Sequence, residues 1–173
     1  MFSPLIMVIY FSARFHKMSF SGASPTFGIY ALITGISLSF IFKIYDPAVI
    51  MQTFLITAGT FGGTAVFGLF TRIDFTKYGN YLYMALWGLI LVSIVNFFLP
   101  GWSWLIFGIS AAGVLIFTAL TAYDVQNLLK LGNQLAPEQE GSKKLAVFGA
   151  LQLYLDFINL FLFILRFVGM SRD

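Results

Sequence analysis

Two aspartates stand where carboxylates are costly. Asp124 closes the apolar run LIFGISAAGVLIFTALTAYD, and Asp156 sits inside GALQLYLDFINLFLFILRF. A carboxylate held in hydrocarbon costs at least about 2.5–3.5 kcal/mol on insertion scales, so such residues usually face a bundle interior and carry function. Gln152, Asp156 and Asn159 fall at i, i+4 and i+7, one face of a helix, and Arg166 continues that face seven residues on. A polar stripe of this kind reads as the lining of an internal path. Two carboxyl groups close together in low dielectric cannot both ionise cheaply, and the pair shares a proton. That is a pH-sensitive element built without histidine. Arg14, at the inner end of the first apolar run, is a candidate partner for Asp124; it reads equally well as a topology anchor. Asp46, Asp74, Glu138, Glu140 and Asp173 read as solvated loop or terminal charge.

The elements that must position these residues follow from composition. Of 173 residues 59% are hydrophobic and only 10% charged, with a mean hydropathy of +0.88. Soluble domains average about 25% charged residues, so this chain cannot coat a water-facing surface. Soluble enzyme, disordered linker, nucleic-acid binder and disulfide scaffold are excluded as primary readings. The net charge of +3 points to cationic loops rather than to nucleic acid. With no cysteine and a single histidine, His16, there is no Cys- or His-based metal site to build.

Apolar runs at 1–15, 27–45, 48–70, 80–99, 103–129 and 145–168 predict an all-α, polytopic transmembrane bundle of six spans in a single domain. Ser19–Pro25, Asp46-Pro47, Thr71–Lys77, Pro100-Gly101 and Gly132–Ser142 separate them as loops. A β-barrel would need alternation that the continuous runs Phe54–Phe70 and Trp104–Ala122 lack. No internal repeat of the kind found in many transporters is visible. Basic residues divide unevenly between alternate loops. Arg14, Lys17, Arg72, Lys77, Lys130, Lys143 and Lys144 fall on one side, which is therefore cytoplasmic; Lys43, Arg166 and Arg172 fall on the other. Gly59 with Gly63, and Gly108 with Ala112, have the four-residue spacing that lets helices approach closely. Trp102 and Trp104 sit where an interfacial aromatic belt is expected. The first run is too short to span unaided, and its positive flank follows rather than precedes it, the reverse of a signal peptide. The expectation is a chain that starts partway through a larger protein.

Counting residues leaves a difficulty for the aspartate pair. Asp124 lies near the inner surface, while Asp156 lies about nine residues, roughly 13 Å, along its helix.

The string GALQLYLDFINLFLFILRFVG at 149–169, with TAYDVQ at 121–126, closely resembles the signature of the Bax inhibitor motif family, the Bax-inhibitor-one and Lifeguard relatives, in its bacterial branch. SARFHK and TRIDFTK also fall where that family carries charge. The resemblance implies seven helices with the last at the centre, so the first family helix and the start of the second are missing here. It implies a pH-regulated calcium leak, gated by an aspartate pair matching Asp124 and Asp156 and by an arginine matching Arg14. Where the best-studied bacterial type has an acidic residue near the start of that helix, this chain has Ser3, and an ion site using it does not carry over.

Three functions compete. A channel-like Ca²⁺ leak suits a chain that offers Asp124, Asp156, Gln152, Asn159 and backbone carbonyls as oxygen ligands, too few carboxylates for a tight cage. Asp124 and Asp156 are then transient calcium contacts, with no tightly bound cofactor. An intramembrane aspartyl protease is disfavoured, because Leu155-Asp156-Phe157 lacks the Gly-x-Gly-Asp context of such enzymes. The third class is a non-catalytic regulator of cell death or of a membrane protease. Expected partners are thus the lipid bilayer, calcium ions and other membrane proteins, with no nucleic acid, in a bacterial inner membrane. The oligomeric state is open.

Overall fold

A computed structural model describes residues 20–98, 103–134 and 140–170. All regular structure in them is helical: α1 (Phe20–Leu38), α2 (Ile41–Ile44), α3 (Pro47–Phe70), a 3-10 turn (Phe75–Tyr78), α4 (Gly79–Phe98), α5 (Ser103–Gly132) and α6 (Glu140–Met170). Five stretches are long and apolar enough to cross a membrane, beginning at Ser24, Pro47, Phe75, Trp104 and Gly141. The run at 1–15 lies outside the described residues, so five spans are seen where six were expected.

Local chemistry explains the boundaries. Asp46 caps α3, accepting the Ala48 N–H at 2.8 Å, and Pro47 follows at the first helical position, where its lack of an N–H is harmless. Ser19–Pro25, expected as a loop, is helical from Phe20 onward with Pro25 inside α1. Proline is tolerated in membrane helices; next to it the Thr26 hydroxyl donates to the Gly22 carbonyl of the preceding turn at 2.7 Å. Conversely, the run expected to continue to 45 breaks at 39–40. There the Ser39 hydroxyl donates to Ile36 O at 2.6 Å, offering the chain an alternative to the helical ladder. Much of the hydrophilic stretch Gly132–Ser142 is also shorter as a loop than expected, because Gly132 ends α5 and Glu140 begins α6.

α6 packs against α1, α3 and α5, and α4 lies on the outer side of α5. The largest core cluster joins Leu89 of α4, Ile109, Phe117 and Leu120 of α5, and Leu160 and Ile164 of α6. Phe54 and Phe61 of α3 stand edge-on to Phe157 of α6, with centroids 5.8 and 5.5 Å apart. Tyr30 of α1 is buried with Leu151 of α6. Apolar side chains also cover the outside: Leu32, Phe70, Met84 and Leu115 are each more than 60% exposed. In water such a surface would aggregate; in a bilayer it is the face toward solvent. Trp104 is among the outward-facing side chains at the start of α5, and Trp102 lies outside the described residues.

The close helix contacts use other glycines than expected. A Cβ on Gly59, Gly63 or Gly108 would meet no described atom within 4 Å. One on Gly68 would come within 3.1 Å of the Ala122 carbonyl, and one on Gly149 within 2.8 Å of Leu128. Gly113 lies against the Phe163 ring. Small-residue spacing identifies a smooth helix face, but which partner covers that face depends on the whole arrangement.

Candidate functional site

The antiparallel register of α5 and α6 brings the two aspartates together. Gly149 packs on Leu128, Gly113 on Phe163, and the Phe117 and Phe163 rings stack with centroids 5.7 Å apart. Between these contacts the Asp124 carboxyl meets Gln152, whose Nε2 donates to Asp124 Oδ1 at 3.4 Å, and lies within side-chain hydrogen-bonding reach of the Asp156 carboxyl. The apparent offset of roughly 13 Å disappears because the ends of the two helices are not level. Leu128, four residues from the end of α5, lies against Gly149, nine residues into α6, so equal depth cannot be counted from the ends.

Both aspartates are buried, each 5% exposed. Asp124 is therefore no helix end emerging into water; α5 continues for two more turns beyond it. Asp156 Oδ2 and Gln152 Oε1 are buried acceptors with no hydrogen-bond donor among the described residues. An unpaired buried oxygen is costly. A shared proton or a bound cation would satisfy it. Tyr83 of α4 stands edge-on to Tyr123, the residue beside Asp124 in sequence, with centroids 5.9 Å apart. Among the described residues no three His, Cys, Asp or Glu side chains are grouped as a metal site.

The rest of the expected stripe divides. Asn159 turns its amide back to its own helix, donating to Leu155 O at 2.8 Å. Arg166 is exposed and lines a cavity of about 510 Å³ with Ser93, Asn96, Phe97, Ile106, Ile109 and Met170, where the ends of α4, α5 and α6 meet. Ten residues of helix, roughly 15 Å, separate it from Asp156. Arg14 lies outside the described residues.

Sequence reasoning missed Tyr83 and Gln126. Nothing in the GNYLYMAL context of Tyr83 distinguishes it from other interfacial tyrosines. Gln126 had a signal, a long amide side chain two residues past Asp124, and it is one of the best-connected side chains at this end. Its Nε2 donates to Gly68 O (3.1 Å) and Ile73 O (2.8 Å), and its Oε1 accepts from Phe75 N–H (2.7 Å). One helical turn on, Lys130 pairs with Asp74 at 2.9 Å and also donates to the Thr76 hydroxyl.

The sequence matches the family described as inhibitor of apoptosis-promoting Bax1 over residues 1–173. It is 49% identical to an uncharacterized protein of Borreliella burgdorferi, over 96% of this chain and 72% of that protein. It is 42% identical to the inner membrane protein YbhL of Escherichia coli K12, over 98% of this chain and 73% of that one. Identity to the Bax inhibitor 1 of Schizosaccharomyces pombe is 30%, over 84% of this chain and 51% of the yeast protein. Apolar helices in this number, together with bacterial relatives of which one is named an inner membrane protein, make this a multi-pass protein of the bacterial inner membrane. A buried pair of facing aspartates in such a helical bundle, and a match that runs the length of the sequence, lead to one assignment: the chain belongs to the Bax inhibitor family.

Proposed function

We propose that the chain is a pH-sensitive calcium leak, a path rather than an enzyme, whose gate is the pair Asp124–Asp156. The observation that carries this reading is the facing of two buried carboxyl groups across α5 and α6, with Asp156 Oδ2 lacking any described donor. With a proton between them the carboxyls hold the two helices together. Once both are ionised they repel in a medium that screens little, and the inner ends of α5 and α6 separate or repack. Calcium prefers six to eight oxygen ligands. Two carboxyls with Gln152 Oε1 fall short of that number, which suits passage better than storage. Arg14 is the third member of the gate by family resemblance, a cation able to pair with the aspartates once they ionise.

A second reading draws on the names of relatives. The family description speaks of inhibiting apoptosis-promoting Bax1, and a yeast relative is called Bax inhibitor 1. On that reading the chain is a non-catalytic regulator binding other membrane proteins.

Ca²⁺ flux into liposomes containing the purified protein separates the two. The leak reading expects pH-dependent flux that is lost in the double variant Asp124→Asn, Asp156→Asn. Flux indistinguishable from empty liposomes at every pH would reject it and favour the regulator.

A further inference from the structure

The segment from Gly68 to Gly79 is held onto α5 as a strap, and a single side chain takes most of the load. Gln126 contacts three main-chain groups of this segment, the carbonyls of Gly68 and Ile73 and the N–H of Phe75. Lys130, one turn further, holds Asp74, which in turn accepts the N–H of Thr76 at 3.2 Å. At the near end, Gly68 rests against the Ala122 backbone; at the far end, Gly79 rests against the Tyr123 ring. Ala122, Gln126 and Lys130 are spaced by four and form one face of α5. Gly113, Phe117, Asp124 and Leu128 form the face turned to α6. Two residues are roughly 200° of helix, so Gln126 and Asp124 point to nearly opposite sides of α5.

We propose that Gln126 is a positioning residue for the aspartate pair: by binding the 71–78 strap to the back of α5 it fixes the rotation and depth at which Asp124 faces Asp156. This rests on the reading of that pair as the gate. α5 is held by α6 on one side and by α3, α4 and the strap on the others, and releasing the strap loosens the hold on its rotation at the Asp124 end. The groups facing Asp124 are Gln152 and Asp156 from α6; Tyr123 is its neighbour on α5, with Tyr83 of α4 against the Tyr123 ring; Asp74 and Lys130 lie on the strap side. The Gln126 amide carries no charge, so its influence on the pair is geometric.

The test compares the parent with Gln126→Leu and with Gly79→Ala, an uncharged change whose Cβ would come within 2.7 Å of the Tyr123 ring and lift the strap. Each protein is reconstituted in liposomes. Amide hydrogen exchange at 71–78, the infrared carboxyl stretch against pH, and Ca²⁺ flux against pH are measured. Exchange at 71–78 should quicken by roughly a hundredfold in Gln126→Leu, which loses all three hydrogen bonds to the segment. The carboxyl titration and the flux profile should shift along the pH axis together in both variants. Faster exchange with an unmoved carboxyl titration would overturn the proposal, and so would unchanged exchange in both variants. If Gln126→Leu does not fold, Gly79→Ala decides alone. A parent without pH-dependent flux would sink the leak reading, while the infrared titration would still decide the role of Gln126.

Discussion

At the scale of single residues, the inner end of the molecule contains two acidic sites with opposite surroundings. Asp124 and Asp156 face each other in the dry interior. Asp74 sits in the exposed loop, where the Thr76 hydroxyl and the Lys130 ammonium hold its carboxyl down to about 2. For a carboxyl whose folded value is depressed, the stabilising contribution is complete above its ordinary 3.8 and disappears only as pH falls through about 2. Asp74 therefore stays ionised across the physiological range and cannot be the sensor. Loop protection in hydrogen exchange, corrected for intrinsic rates, should accordingly be the same at pH 5 and pH 8 in Asp124→Asn, Asp156→Asn protein. A large loss of protection over that range in this variant would show a sensor elsewhere. Residue types alone announced the aspartates, because a carboxylate in an apolar run needs a reason. They did not announce Asn159 correctly, since an amide on the right face still has the choice of bonding its own backbone. Nor did they reveal Gln126, whose partners are main-chain groups more than 50 residues away in sequence.

At the scale of elements, helix type was legible throughout and helix ends were not. Long apolar runs allow little but helices in hydrocarbon. Their ends depend on details such as the Asp46 cap, the Thr26 hydroxyl beside Pro25 and the Ser39 hydroxyl that breaks the second run, each a hydrogen bond and not a composition. Counting from neighbouring helix ends as if they were level placed the aspartates apart on paper, when the register of α5 on α6 brings them together. The glycines offer a direct check of the packing. A Cβ at Gly113 would press into the Phe163 ring, close to the stacked Phe117, so Gly113→Ala should overpack the α5–α6 seam. The cost is about 1–3 kcal/mol, or roughly 2–12 °C in the melting temperature of a protein this size. Gly59→Ala, with no described atom within 4 Å, should change stability by about 0.5 kcal/mol or less. Thermal unfolding of both variants in detergent gives the comparison, and equal destabilisation would contradict this packing.

At the scale of the whole molecule, the fold is an α5–α6 pair with α3 packed across both, α1 on α6 and α4 on α5, and with an apolar exterior made for lipid. The distribution of basic residues sets its direction: Arg72, Lys77, Lys130, Lys143 and Lys144 gather at the end that carries the strap, while Lys43 and Arg166 lie at the other. The strap should thus be cytoplasmic and the C-terminus external. A reporter fused after Asp173 should be active only outside the cytoplasm, and cytoplasmic activity would reverse the topology. In the proposed leak the two aspartates act as one titrating unit across the helix pair. Asparagine keeps the shape of either side chain and removes one ionisation. In the parent, the charge left by the first proton opposes loss of the second, which gives two separated steps. Ca²⁺ flux against pH, measured in liposomes for the parent, Asp124→Asn and Asp156→Asn, tests this most directly. A broad parent profile and two narrower profiles displaced from it are expected; three superimposable curves would rule out the coupled pair.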